Sequence, residues 1–223
     1  VLAELSQDRV RLGRSSTAER VADILRERIS EGAFRPGQRL SEEGISEALG
    51  VSRNTLRESF RLLGHERLLE HKLNRGVFVR LPSAEDVADL YRVRRVLEGA
   101  AVRRKPGERT LAVINEALTD AERAAEQDDW QAVGTANIRF HQAIVSLNES
   151  PRLNESMRQL LAELRLVFHV MDNPRAFHEP FVARNRVLLG LIEAGRPEEA
   201  AAYLDDYLDE AERQLIHAYE PNR

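Results

Sequence analysis

Two arginines four residues apart, Arg53 and Arg57, lie in the run Ser52-Arg53-Asn54-Thr55-Leu56-Arg57. A guanidinium offers parallel N–H donors that match guanine O6 and N7, or that clamp a phosphate. Asn54 adds an amide suited to adenine or phosphate, Thr55 a hydroxyl, and Ser52 at a helix N-terminus suits a phosphate oxygen. Arg75-Gly76 stands at a candidate hairpin tip, within reach of a neighbouring groove or backbone. A second set is dispersed: Arg94, Asn137, His141, Asn185 and Tyr207 each fall on an otherwise apolar helical stripe. Polar groups turned inward on four helices need hydrogen-bond partners, and their convergence in a bundle interior makes a natural small-molecule cavity.

The elements that must position the first set read clearly. Ser16 and Glu19 have capping-box spacing, followed by Val21, Ile24, Leu25 and Ile29 at helical intervals, with Gly32 placed to end the helix. Arg35-Pro36-Gly37-Gln38 suits a type II turn. Ser41 caps a short helix that runs to about Leu49 and buries Ile45 and Leu49, and Gly50 stops it. Ser52 caps a third helix with Leu56, Phe60 and Leu63 as its buried face. Segments 42–49, 50–52 and 53–65 therefore have helix-turn-helix proportions, in which the N-terminal end of the second helix enters the major groove. Two short strands follow, near Leu68–His71 and Gly76–Arg80. Two arginines alone would suit an ordinary solvated face; Gly50 and the two-strand wing turn the balance towards nucleic acid.

Leu81-Pro82-Ser83 breaks the pattern, which divides the chain into an N-terminal arm (1–14), a winged helix-turn-helix (15–80), a linker (81–84) and an all-helical domain (85–223). Expected helices run over 84–104, 108–126, 129–148, 151–171, 175–194 and 197–219, several with Pro at or near the first helical position. The expected fold class is mainly α: three helices and a β-hairpin wing, then an antiparallel bundle of about six helices.

Composition narrows the function classes. The chain has no cysteine, which excludes disulfides and thiolate metal sites and fits a reducing compartment. No apolar run reaches the ~18 residues of a membrane span, and Val1–Gly13 mixes Leu with charged residues unlike a signal peptide, so a cytoplasmic protein without a membrane partner is expected. The net charge of −4 is unevenly spread: residues 51–80 hold seven basic against three acidic side chains, whereas the helical domain is acidic. Only the N-terminal part is suited to a polyphosphate. No phosphate-binding Gly loop, Cys nucleophile or nucleophile elbow supports an enzyme.

The stretch Glu19–Leu81 resembles the winged helix of the GntR family of bacterial regulators, through its PGQRLSEE, LGVSRNTLRE and NRGVFV segments. Gly44 stands where that family usually has a helix-favouring residue, Arg67 where it usually has Gly, and Glu43 where some members use a basic residue. The resemblance places DNA contacts on Ser52, Arg53, Asn54, Arg57, Arg75 and Gly76. The helical remainder resembles the FadR-type C-terminal (FCD) domain, through Arg94–Glu98, Asn137–His141 and Ile192–Gly195. That implies a homodimer, a small metabolite effector such as a carboxylate, and a pseudo-palindromic double-stranded DNA operator, with repression relieved by ligand as the favoured mode.

The family's metal site uses Asp or Asn and His four apart, then two further His 22 residues apart. Here those positions read Asn137, His141, Asn185 and Tyr207, and a neutral amide and a phenol are poor donors for zinc or nickel. No cofactor is expected beyond weak metal binding through His141, with His169 and His178 as conceivable rearranged ligands. Plainer readings stay open: His141 and Tyr207 as satisfied core residues, and Arg94 with Glu98 as an internal ion pair. The alternatives for the whole chain are a protein-interaction module with a vestigial winged helix and, further off, a helical-domain enzyme.

Overall fold

The fold was read from a computed structural model, which describes residues 16–169, 171 and 173–219. The arm expected over 1–14 lies outside these residues. The chain forms two compact units divided between Leu81 and Pro82.

In the first unit, α1 (Thr17–Ser30) opens on the Ser16–Glu19 capping box, with both reciprocal hydrogen bonds made. It ends where Gly32 takes φ 82°. At Arg35–Gln38 the Gln38 N–H donates to the Arg35 carbonyl, and Gly37 supplies the φ of 79° that a type II turn demands. Helices α2 (Glu42–Leu49) and α3 (Arg53–His65) are capped by Ser41 and Ser52, and Gly50 between them is left-handed at φ 63°. Strands β1 (Leu69–Lys72) and β2 (Gly76–Val79) pair antiparallel, with Leu69 opposite Val79 and Lys72 opposite Gly76. The segment before α2 backs onto the free side of β2: Leu40 N–H donates to the Val77 carbonyl and Arg39 bridges to Phe78.

Val21, Leu25, Ile29, Leu40, Leu56, Phe60, Leu63, Leu68 and Val79 fill this unit's core. Helix α2 departs from expectation. Ile45 and Leu49 are only half-buried, and the fully covered residue is Ser46, whose hydroxyl donates to the Glu43 carbonyl. A two-turn helix packed chiefly along one neighbour leaves the rest of its apolar face partly open.

In the second unit, α4 (Ala84–Ala101), α5 (Glu108–Glu126), α6 (Trp130–Val145), α7 (Pro151–Phe168), α8 (Pro174–Glu193) and α9 (Pro197–Tyr219) enclose one apolar core from Val87 to Leu215. Ser83 and Asp86 form a second capping box, and Pro151 and Pro174 occupy first turns capped by Ser150 and Asn173. Four helices of this unit stop short of their expected ends, α8 by one residue at Glu193. Helix α4 ends at Ala101, α7 at Phe168, and α6 at Val145, where Ser146–Asn148 tighten into a 3-10 turn before Glu149 takes φ 52°.

Candidate functional site

Helix α3 divides along its length. Leu56, Phe60 and Leu63 are buried, and this fixes the phase that turns Ser52, Arg53, Asn54 and Arg57 to solvent. Ser52 Oγ accepts from the Thr55 N–H at 3.1 Å and also meets Thr55 Oγ1 at 2.9 Å. Thr55 is half-buried, so its hydroxyl serves the cap more than it faces outward. Arg53 and Arg57 project as expected, but each is held by a carboxylate of α2. Arg53 Nη2 donates to Glu43 at 2.7 Å and Arg57 Nε to Glu42 at 2.8 Å.

At the hairpin, Arg75 is exposed and Gly76 adopts φ 102°. A Cβ on Gly76 would stand 3.1 Å from Arg39 Nε. Arg39 lines a groove of about 400 Å³ together with Ser41, Glu42, Glu43 and Gly76. Sequence reasoning missed this arginine. Its place follows from the backbone pairing of residues 37–40 with β2, and so short a stretch carries no visible periodicity. The two glutamates were missed as partners for a related reason: only the fold brings the first turn of α2 against α3.

The bundle gathers the second set of residues into one buried network. Arg94 Nε donates to Glu98 Oε1 at 2.7 Å, and the other carboxylate oxygen accepts from His141 Nδ1 at 2.6 Å. His141 Nε2 lies 3.1 Å from the Tyr207 hydroxyl, which is 3.3 Å from Asn137 Oδ1. Asn185 Nδ2 donates to that same Asn137 oxygen at 2.7 Å. Burial pushes Glu98 up, but the Arg94 charge and then His141 outweigh it and hold the carboxyl below its ordinary value. Burial lowers His141, Glu98 opposes this, and the net shift is downward. At neutral pH the ring is therefore neutral, with Nδ1–H donating to Glu98 and Nε2 left as an acceptor facing the Tyr207 hydroxyl, whose single proton serves either Nε2 or Asn137 Oδ1. Burial likewise raises Tyr207, so its phenol keeps its proton. Within this network two buried atoms lack a hydrogen-bond partner: Arg94 Nη2, a donor, and Asn185 Oδ1, an acceptor.

Arg94 with Glu98 is an internal ion pair, as in the plainer reading, and that pair leaves Arg94 Nη2 without an acceptor. Glu98, expected as the partner of Arg94 and as part of the FCD-like motif, is the hub of the network. The signal that marks it is a carboxylate on an apolar stripe, four residues after an arginine on the same stripe. For a divalent metal the donor set fits poorly. His141 Nδ1 is taken by Glu98, Asn137 Oδ1 already accepts from Asn185, the single Tyr207 proton lies between His141 Nε2 and that same oxygen, and a guanidinium sits beside the shared carboxylate. Among the described residues no three His, Asp or Glu side chains are grouped to hold a metal. His178 lies against Phe168 and Phe177, and its Nε2 approaches Gly134 beside Arg165.

Among the described residues no helix is long and apolar enough to cross a membrane. Residues 17–79 match the family of bacterial regulatory proteins known as gntR, and residues 89–210 match the FCD domain. The Nta operon transcriptional regulator of Aminobacter aminovorans is 26% identical over 187 residues, covering 82% of this chain and 87% of its own. The galactonate operon transcriptional repressor of Escherichia coli is 30% identical over 173 residues, covering 67% and 75%. A solved GntR-type transcriptional regulator from Rhodococcus sp. RHA1 superposes with a TM-score of 0.87 at 49% identity, over 92% of this chain and all of that one. With an outward-facing arginine helix on the winged unit and an FCD match over the helical one, the chain belongs to the GntR family of bacterial transcription regulators, and it is a regulator rather than an enzyme.

Proposed function

We propose that this regulator binds a pseudo-palindromic operator as a homodimer in the cytoplasm, as a repressor released by a small carboxylate held in its FCD bundle. The observation that carries the reading is the pair of unpartnered atoms in an otherwise closed network. Arg94 Nη2 seeks an acceptor and Asn185 Oδ1 seeks a donor, in a site where an unmet polar group costs about 1–3 kcal/mol. A small acid that also carries a hydroxyl or amine supplies both. His141, Glu98, Tyr207 and Asn137 hold those two groups in place and take the place of a metal. A ligand that favours one arrangement of the network shifts DNA affinity in proportion to its preference between the two states.

On the DNA side, Arg53, Asn54 and Arg57 read bases from α3, Ser52 and the α3 N-terminus meet a phosphate with Thr55 bracing that cap, and Arg75, Gly76 and Arg39 approach the backbone from the wing. Repressor names among the relatives support the sign of regulation, in that the galactonate operon protein is one.

Native mass spectrometry with elemental analysis tests the effector reading. A metal-free dimer that carries, or takes up, a small acid supports it; a stoichiometric transition metal bound through His141 overturns it. Arg53→Ala and Arg57→Ala, made separately, test the other half. Each is expected to lose specific DNA binding, and unchanged binding would favour a protein-interaction role for the winged unit.

A further inference from the structure

The Arg53–Glu43 pair has a chemistry that neither residue has alone. Its members come from different helices, meet at 2.7 Å, and are both well exposed, at 61% and 69%. The bond uses one N–H of Arg53 Nη2, which leaves the second Nη2 hydrogen and Nη1 free to donate. On Glu43 only Oε1 is engaged, so among the described residues Oε2 has no hydrogen-bond donor. Along its outer edge the pair therefore presents donor, donor, acceptor. The major-groove edge of a guanine–cytosine pair presents guanine N7 and O6 as acceptors and the cytosine N4 amino group as a donor. The two sequences of groups are complementary, in one orientation of the base pair only.

We infer that Arg53 and Glu43 act as one composite reader of a guanine–cytosine base pair, the guanidinium on guanine and the carboxylate on the cytosine amino group. This rests on α3 being the groove-entering helix. The second pair is built differently. Glu42 is 30% exposed and takes Arg57 through Nε, so that among the described residues both terminal nitrogens of Arg57 are without a hydrogen bond. Glu42 orients its arginine; Glu43 stands beside its arginine at the reading edge. A carboxylate that faced phosphates instead would repel every duplex alike, and that difference is what the test uses.

The full-length protein, wild type and as Glu43→Ala, Glu43→Gln and Arg53→Ala, is put through selection from a random duplex pool at fixed salt. Affinities are then measured for the best duplex and its single-pair variants. Wild type is expected to select one guanine–cytosine pair per half-site in a fixed orientation at the Arg53 position. Glu43→Ala should lower discrimination at that pair by about tenfold and leave the others unchanged. Replacing that cytosine by 2-pyrimidinone, which lacks the amino group, should weaken wild type by about tenfold and leave Glu43→Ala unaffected. Glu43→Gln retains an acceptor oxygen and should keep the preference. The inference fails if Glu43→Ala selects the same motif with equal stringency, or if it tightens binding to all duplexes uniformly. If Arg53→Ala also selects the wild-type motif, the fault lies instead with the assignment of α3 as the reading helix.

Discussion

Arg67 sits at φ 56°, in the left-handed region that a side chain with a Cβ adopts at a cost of roughly 1–2 kcal/mol. The conformation is imposed by the exit from α3: the Arg67 N–H donates to the Gly64 carbonyl and Leu68 N–H to Leu63. The GntR resemblance puts glycine here, and the backbone explains why. Arg67→Gly is expected to stabilise the winged unit by about 1 kcal/mol, seen as a rise in thermal midpoint of several degrees. An unchanged or lower midpoint would mean that the Arg67 side chain contributes contacts worth as much as the strain.

Glu98 presents the opposite case, a residue in relaxed geometry whose removal is costly. Its carboxylate is fully buried and neutralises a guanidinium that is 2% exposed. Glu98→Ala would leave Arg94 charged and unpaired and strip Nδ1 of His141 of its acceptor, a loss of about 3–5 kcal/mol. Urea denaturation of the two proteins measures this. A loss under about 1 kcal/mol would mean that water enters the network and takes over the role of the carboxylate.

At the scale of elements, α6, α7 and α8 meet where Gly134 makes room for two side chains. A Cβ there would lie 2.8 Å from both Arg165 Nη1 and His178 Nε2. Burial, and secondarily the Arg165 charge, push His178 down to about 4. Its unfolded value is about 6.5, so the unfolded chain binds the extra proton first. The contribution of His178 is fully present above about pH 6.5 and is lost as pH falls towards 4, by at most about 3 kcal/mol. His141, also lowered, acts in the same sense. The variant His178→Gln should flatten part of the acid limb of a urea-midpoint profile measured from pH 7 to 4. An unaltered limb would assign the whole of it to other groups.

The same elements indicate what a sequence exposes. Punctuation was legible because it is local chemistry: Ser16 with Glu19, Gly37, Gly50, Ser52 and Pro151 each act on backbone within four residues. The inward polar residues were legible as breaks in an apolar stripe. Their bonding was not, because Glu98 reaches His141 across 43 positions and Asn137 reaches Asn185 across 48. Helix phase says which face a group is on and nothing about which neighbour it finds. The α2 carboxylates on Arg53 and Arg57, at separations of 10 and 15, were hidden for the same reason.

At the scale of the molecule, the apolar cluster from Val87 to Leu215 contains no residue of the winged unit, and the polar network lies wholly among α4, α6, α8 and α9. A domain with its own core can fold alone. Residues 82–223 expressed separately are therefore expected to unfold in one cooperative transition. This has a consequence for the effector. A ligand that binds only the folded bundle stabilises it by RT ln(1 + [L]/Kd), about 2.7 kcal/mol at a hundred times Kd, whether or not the winged unit is attached. A panel of small hydroxy acids and amino acids, screened by thermal shift on both proteins, should yield hits on the fragment as well as on the full chain. Arg94→Met should abolish them in both. A compound that shifts the full chain and leaves the fragment untouched would bind elsewhere, and the network around His141 would then be a structural brace and no receptor.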